Sequence, residues 1–435
     1  METSTHGITA PSSVYEIGGQ RFEITTPGFA DAIANAHALR QRPRCLCLQP
    51  DDAQSGEMYV ALMAGLTGGY IVKRMPNTGS HHAPHCPSYE PPAEFSGLGQ
   101  VLGSAITEDP ATGETTLKLD FALSKMPGRS SLPPPSGESD SVTTDGTKLS
   151  LRGLLHYLWD QAELTRWHPG FASKRSWATV RKHLLLAAEN KLARGDSLRS
   201  RLCIPEVFVV DQRDAINARR MAQWAQAIAA PGKPQRLMLL IAEVKEIVPA
   251  RYGFKAVVKH VPDQAFALDE QLYRRIGLRF ESELALWGSA DDIHMVMIAT
   301  FSVATAGIPT IVELSLMPAT RHWLPVDDGF DKQLIERLVA DGRSFVKGLR
   351  YNLSAASAVA NATLTDCEHS PPRLFVVHTR SEESEDSGQH LQVGDTSAPV
   401  WLWHPASEAM PPLPPQLPPR QPHHPRATEP AVEYR

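Results

Sequence analysis

The stretch "RLMLLIAEVKEIV" at residues 236–248 is continuously apolar as far as Ala242 and then carries Glu243, Lys245 and Glu246. Pro231-Gly232 precedes it and Pro249 follows it, so it is too short and too punctuated for a long helix and reads as a buried strand. Outward from it, "FKAVVKHV" (254–261), "HMVMIATFSV" (294–303) and "TIVELSLM" (310–317) have the same character, with a helical pattern over about 269–287 between them. A helix is expected over 212–229 before this group and another over 329–340 after it, ahead of "FVKGLRY" (345–351) and two further strands, "ATLTD" (362–366) and "RLFVVH" (373–378). Helices and strands are segregated rather than alternating, which predicts an α+β, multidomain chain.

Composition sets the limits. A chain of 435 residues exceeds what one core usually serves, and 42% apolar with 21% charged residues is ordinary for a folded protein. The net charge of −5 excludes a global basic field, so any nucleic-acid contact has to come from a local patch. Neither a signal-peptide pattern nor a run of 18 apolar residues is present, so a cytoplasmic location without a membrane span is expected. Stretches rich in Pro, Ser and Gly divide the chain into a β-rich N-terminal module (1–126), a linker (127–149), a helical module (150–204), a central α+β region (205–321), a C-terminal module (322–404) and a tail (405–435). From Met410 the tail holds nine prolines in 26 residues, a polyproline-type composition expected to stay outside any core and to be available to a protein partner. The acidic run "SEESEDSG" (381–388) is expected to be polar loop.

Three of the five cysteines lie in "RCLCLQP" (44–50) and "GSHHAPHCPSYEPP" (79–92), beside three histidines. Glu57–Ala64 and Gly69–Met75 flank "GLTGG" as a predicted hairpin that would bring the two stretches together. Cys45 and Cys47 at a strand end share one face, because side chains alternate with a period of two. Cys45, Cys47, Cys86 and His82 then form a closed tetrahedral set for a structural Zn2+, with His85 and His81 as alternatives to His82. The competing reading is small buried thiols beside a solvated loop.

In "SLRGLLHYLWDQAELTRWHPGFASKRSWATVRKHLLLAAENK" (150–191), Leu151, Leu154, Leu155, Leu158 and Trp159 mark one helix, and Trp177, Val180, Leu184 and Ala188 mark a second over about 174–193. Two helices around Pro169-Gly170 suit a helix-turn-helix-like module, and Lys174, Arg175, Arg181 and Lys182 concentrate cations near the start of the second for contact with DNA phosphates. A solvated basic face is the alternative. Glu243 and Lys245, two apart on a strand, could serve a metal-dependent nuclease if a partner carboxylate were near, and a cross-strand ion pair is the alternative.

Five stretches together resemble an uncharacterised bacterial family of plasmids and integrative conjugative elements. They are "CLC", "YIVKRMPNTGSHHAPHCPSYEPP", "LSLRGLLHYLWDQAELTRWHPGFASKRSW", "IAEVKEIVPARYGFK" and "WLPVDDGFDKQLIERLVADGRSFVKGLRYN", and the resemblance covers roughly residues 20–405. It implies a mobile-element context and brings no established activity. Residues 322–404 also resemble the PD-(D/E)xK restriction-endonuclease-like fold, through Asp331 on the helix and Phe345, Lys347, Leu349, Arg350 and Tyr351. The match then fails, because Ala360-Asn361 stands at the Pro-Asp position and "RLFVVH" lacks the acid and lysine. The resemblance thus implies a degenerate nuclease-like module with no cage for Mg2+, although Asp366 remains as a second carboxylate. Taken together, the expectation is a zinc-stabilised, non-catalytic, DNA-associated accessory protein of a mobile genetic element. A metal-dependent nuclease and a protein-interaction scaffold are its rivals.

Overall fold

The computed structural model describes residues 13–48, 56–62, 69–126, 142–143, 145–229, 232–367, 370–378 and 398–417. The linker expected at 127–149 lies mostly outside these residues, as does the acidic run 381–388. The architecture is mixed α and β with several sheets, as expected.

The opening stretch is a strand, Met238–Pro249, and it organises the centre. One edge pairs antiparallel with His294–Val303. The other pairs parallel with Leu202–Cys203 and then antiparallel with Phe254–Val258. Phe254–Val258 pairs with Phe266–Leu268, that strand with Pro309–Ala319, and Pro309–Ala319 with His294–Val303. The five strands therefore return on themselves as a closed ring, with Leu202–Cys203 attached outside it. Alternation along Met238–Pro249 explains the two cores: Met238, Leu240, Ala242 and Val244 enter one with Phe266, Phe301 and Trp224, while Leu239 and Ile241 enter another. The expected helix at 269–287 is two helices, Glu270–Arg279 and Glu281–Ser289, broken at buried Phe280.

The second core belongs to helix Leu151–Gln161, whose face from Leu151 to Trp159 is wholly buried. Ser150 caps it, its hydroxyl accepting from Gly153 N at 2.9 Å. The next helix is Trp177–Ala187, shorter than expected, because Ser176 is its N-cap and Asn190 takes a left-handed φ of 55° before strand Lys191–Ala193. Lys174 and Arg175 thus precede the helix instead of lying on it. The connection 162–176 is also not a helix-turn-helix turn. It contains strand Arg166–Trp167, which forms the edge of a five-stranded sheet with Phe345–Lys347, Ala362–Leu364, Arg373–Val376 and Val400–Trp403. Helix Gly329–Ala340 packs beside that sheet, capped by Asp328, which accepts from Phe330 N and Asp331 N at 2.8 and 2.9 Å.

The tail departs from expectation over part of its length. Within 405–417, Met410 and Leu413 pack against this C-terminal core, which includes Trp401 and Trp403, while 418–435 fall outside the described residues.

Candidate metal centre

The N-terminal module is small: strands Val14–Ile17, Gln20–Glu23 and Arg44–Cys45, helix Phe29–Ala38, and a hairpin of Met58–Leu62 with Tyr70–Arg74 that matches the expected one. Its core consists of Tyr15, Ile17, Ile33, Ala36, Met58, Val60, Ala83 and Tyr89, together with Cys45 and Cys86. Cys45 is placed by pairing with Tyr15 and by its N–H donating to Gly56 O at 2.6 Å. Gly56 is required there. Its φ is 98°, and a Cβ would lie 2.6 Å from Cys45 O. On the other side, a single 3-10 turn, Gly79–His81, delivers His82, and Cys86 N donates to Ala83 O at 2.8 Å to close the next turn.

Nδ1 of His82 and the three sulfurs of Cys45, Cys47 and Cys86 all lie within 4.8 Å of one another. Cys45 Sγ is 3.7 Å from Cys86 Sγ, Cys47 Sγ is 3.4 Å from His82 Nδ1, and Cys86 Sγ is 3.9 Å from His82 Nδ1. A tetrahedral zinc with Zn–S about 2.3 Å and Zn–N about 2.0–2.1 Å requires S···S edges near 3.8 Å and S···N edges near 3.6 Å. The donors therefore already sit at ligand spacing, and this set can hold a metal ion. His82 is buried whereas His81 and His85 are exposed, which selects among the three histidines. Amides of Ala83 and Ser88 donate to the sulfurs of Cys47 and Cys86, each at 3.4 Å, the outer contacts that orient thiolate ligands. Hydrogen bonding from Cys45 and then Cys86 lowers the Cys47 thiol, while the bond to Cys47 raises Cys45. For His82, burial disfavours the cation but its bonds to Cys47 and Cys86 outweigh it and raise the imidazole to about 9.

The four cations singled out for DNA divide into two kinds. Arg175 donates to the carbonyls of Leu164 at 2.9 Å and of Arg166, and lies over the rings of Trp167 and Phe171 at 5.4 Å. Arg181 donates to Ile204 O at 3.0 Å. Lys174 and Lys182 are exposed. The tryptophans are core: Trp177 donates to Pro205 O at 2.9 Å, and Trp167 is buried.

Glu243 and Lys245 do not act as a pair. Lys245 is the extra residue of a bulge, since Val244 pairs with Val258 and Glu246 with Val257, and its side chain is exposed. Glu243 falls on the buried face with Leu239 and Ile241, and both Lys259 Nζ and His294 Nδ1 lie 2.6 Å from its carboxylate. His294 is stacked on Trp323 at 3.9 Å. Burial opposes ionisation of Glu243, but the bonds from His294 and Lys259 prevail and lower its carboxyl. His294 lies on the same face as Val296, the residue that pairs with Glu243, and this proximity depends on a pairing the sequence does not mark. In the C-terminal module, Asp331 is wholly buried. It accepts from Asn361 Nδ2 and Asp327 N, both at 2.9 Å, with Lys347 Nζ at 3.2 Å. Asp327 is held by Arg350 at 2.6 Å, and Asp366 by Arg343 at 2.8 Å.

A comparison with protein families matches residues 15–406 to the family described as "Protein of unknown function (DUF1173)". The chain belongs to that family. No curated protein and no solved structure matches it. Among the described residues, no helix is long and apolar enough to cross a membrane.

Proposed function

We propose that this DUF1173 protein is a zinc-stabilised, non-catalytic, DNA-associated accessory protein of a mobile genetic element. The observation that carries the proposal is the convergence of Cys45, Cys47, His82 and Cys86 within 4.8 Å of one another, which offers four protein ligands and would leave a tetrahedral ion no position for a reacting water. The ion would reinforce the small core of this module, since two of its ten buried residues are Cys45 and Cys86. The non-catalytic part is supported by Glu243, Asp331 and Asp366, each engaged by cations of the chain at 2.6–3.2 Å. DNA association is supported by Lys174 and Lys182, which flank the first turn of helix Trp177–Ala187 and are exposed.

Metal analysis of freshly purified, reduced protein tests the first part. One zinc per chain is expected, lost in Cys47→Ser, and a value near zero refutes it. For DNA, retention of a labelled duplex over a salt series should have a log–log slope that Lys174→Ala with Lys182→Ala flattens by about 1.8. No retention at low salt refutes that part, and cutting of the duplex in Mg2+ or Mn2+ refutes the non-catalytic one.

A further inference from the structure

The prolines of the tail are held in place by donors. Trp401 Nε1 donates to Pro412 O at 3.0 Å, Arg343 Nη1 to Pro414 O at 2.8 Å, and Trp403 Nε1 to Glu408 O at 3.2 Å. At the far end, Leu417 N donates to Asp366 O at 2.8 Å, and Gln416 Nε2 reaches the Asp366 carboxylate at 3.1 Å. Arg343 is itself fixed by Asp366, with bonds of 3.0 and 2.8 Å. Between Met410 and Pro415 exposure repeats every third residue, and Glu408, Ala409, Gln416 and Leu417 on either side are exposed. Pro412 and Pro415 face outward, while Met410, Pro411, Leu413 and Pro414 are half-buried. Three residues per turn is the period of the polyproline II helix, which has no internal hydrogen bonds and so offers its carbonyls to outside donors. Indole N–H groups and apolar slots that read those carbonyls and every third side chain are the means by which Pro-x-x-Pro segments are recognised.

We propose that Trp401, Trp403 and Arg343 form a recognition groove for proline-rich peptides, occupied in cis by residues 408–417. The ligand class is an extended segment with the pattern apolar-Pro-x-apolar-Pro-x, delivered in trans by a proline-rich partner. The cis segment competes with it. A tethered ligand acts at millimolar effective concentration, so the intact chain captures such peptides weakly and a chain with a disabled tail captures them well.

The probe is a fluorescent peptide of residues 406–417, titrated by anisotropy against the full chain. Leu413→Asp in the chain disables the cis ligand without altering the groove, and should tighten binding of the wild-type peptide at least about tenfold. Adding Trp401→Phe, which keeps a ring and removes the indole donor, should weaken it again. A peptide carrying Leu413→Asp should not bind. Should Leu413→Asp unfold the chain, Pro411→Ser with Pro414→Ser gives the same comparison without a charge against the groove. Peptide binding no tighter than to wild type in a variant whose circular dichroism is unchanged overturns the proposal. Unfolding of both variants overturns it as well, because a segment the fold cannot release is core and not an exchangeable ligand.

Discussion

Replacing Asp331 by Ala removes the acceptor at the centre of the C-terminal module. Asn361 Nδ2 and the Asp327 amide, both at 2.9 Å, lose their acceptor, and Lys347 Nζ, at 3.2 Å, loses its counter-ion and keeps the Gly348 carbonyl at 2.9 Å. Lys347 is nearly as buried as Asp331, which has no exposure at all, so its ammonium cannot turn to water. Breaking a buried pair from one side typically costs about 3–5 kcal/mol, much of it the stranded charge. Removing both charges, with Asp331→Ala and Lys347→Met together, should cost less than Asp331→Ala alone, because no unpaired ion remains. Urea denaturation followed by tryptophan fluorescence suits the measurement, since Trp167, Trp401 and Trp403 share the core beside this cluster. A loss below about 1 kcal/mol for Asp331→Ala would refute the reasoning, and so would a double variant no more stable than Asp331→Ala alone. Either result would mean that the ion cluster does not stabilise the module.

His156 is wholly buried, accepts from Tyr351 N at 3.0 Å, and is driven down to about 3 by burial and then by the charge of Arg152. Its folded pKa lies below its unfolded one, near 6.5, so the unfolded chain takes up the proton first. This contribution is complete above about pH 6.5 and is lost toward pH 3, at a slope approaching about 1.4 kcal/mol per pH unit. His156→Gln should flatten the stability profile there, and an unchanged profile would refute the assignment. Arg181→Ala, which frees the Ile204 carbonyl, should lower stability by about 1 kcal/mol and leave the salt dependence of any DNA binding unchanged. A flattened salt slope would instead return Arg181 to the phosphate-contacting set. Chelation of the zinc should expose the thiols of Cys45, Cys47 and Cys86 together to a thiol reagent, whereas piecemeal reaction would argue against a shared ion.

What the sequence made legible was local. Helix Gly329–Ala340 was readable to the residue, because Asp328 caps it and Leu334, Ile335 and Leu338 follow at helical spacing. The meeting of Cys45, Cys47, His82 and Cys86 was readable because two short runs of donors flank one hairpin. Within the charge run at 174–182, Arg175 and Arg181 misled, since a sequence shows a guanidinium but not the carbonyls of Leu164 and Ile204 that will occupy it. The bulge at Lys245 depends on pairing with Val257 and Val258, and strand closure depends on five separate pairings, none of which has a local signature. The tail was misjudged because proline richness argues against a core of its own, whereas here the core belongs to Trp401 and Trp403.

The segment after the ligands ties the two ends of the chain together. Beyond Cys86, the carbonyl of Tyr89 accepts from Arg166, which lies on the edge strand of the C-terminal sheet. Phe95 then accepts at its carbonyl from Ala360 N at 2.9 Å and lies 3.6 Å beneath the guanidinium of Arg373, while Gly97 N donates to Leu349 O at 2.9 Å. A Cβ at Gly97 would fall 1.9 Å from Arg350 O, so only glycine allows the chain to pass. These contacts begin three residues after Cys86 and end at Leu349 and Ala360, just outside the strands Phe345–Lys347 and Ala362–Leu364 of the sheet that also carries Trp401. Ordering of the knuckle and docking of residues 87–97 are therefore physically continuous. A metal that fixes Cys86 also limits the positions from which Tyr89 and Phe95 can reach the C-terminal sheet, and the entropy of that docking step is reduced before any of its bonds forms.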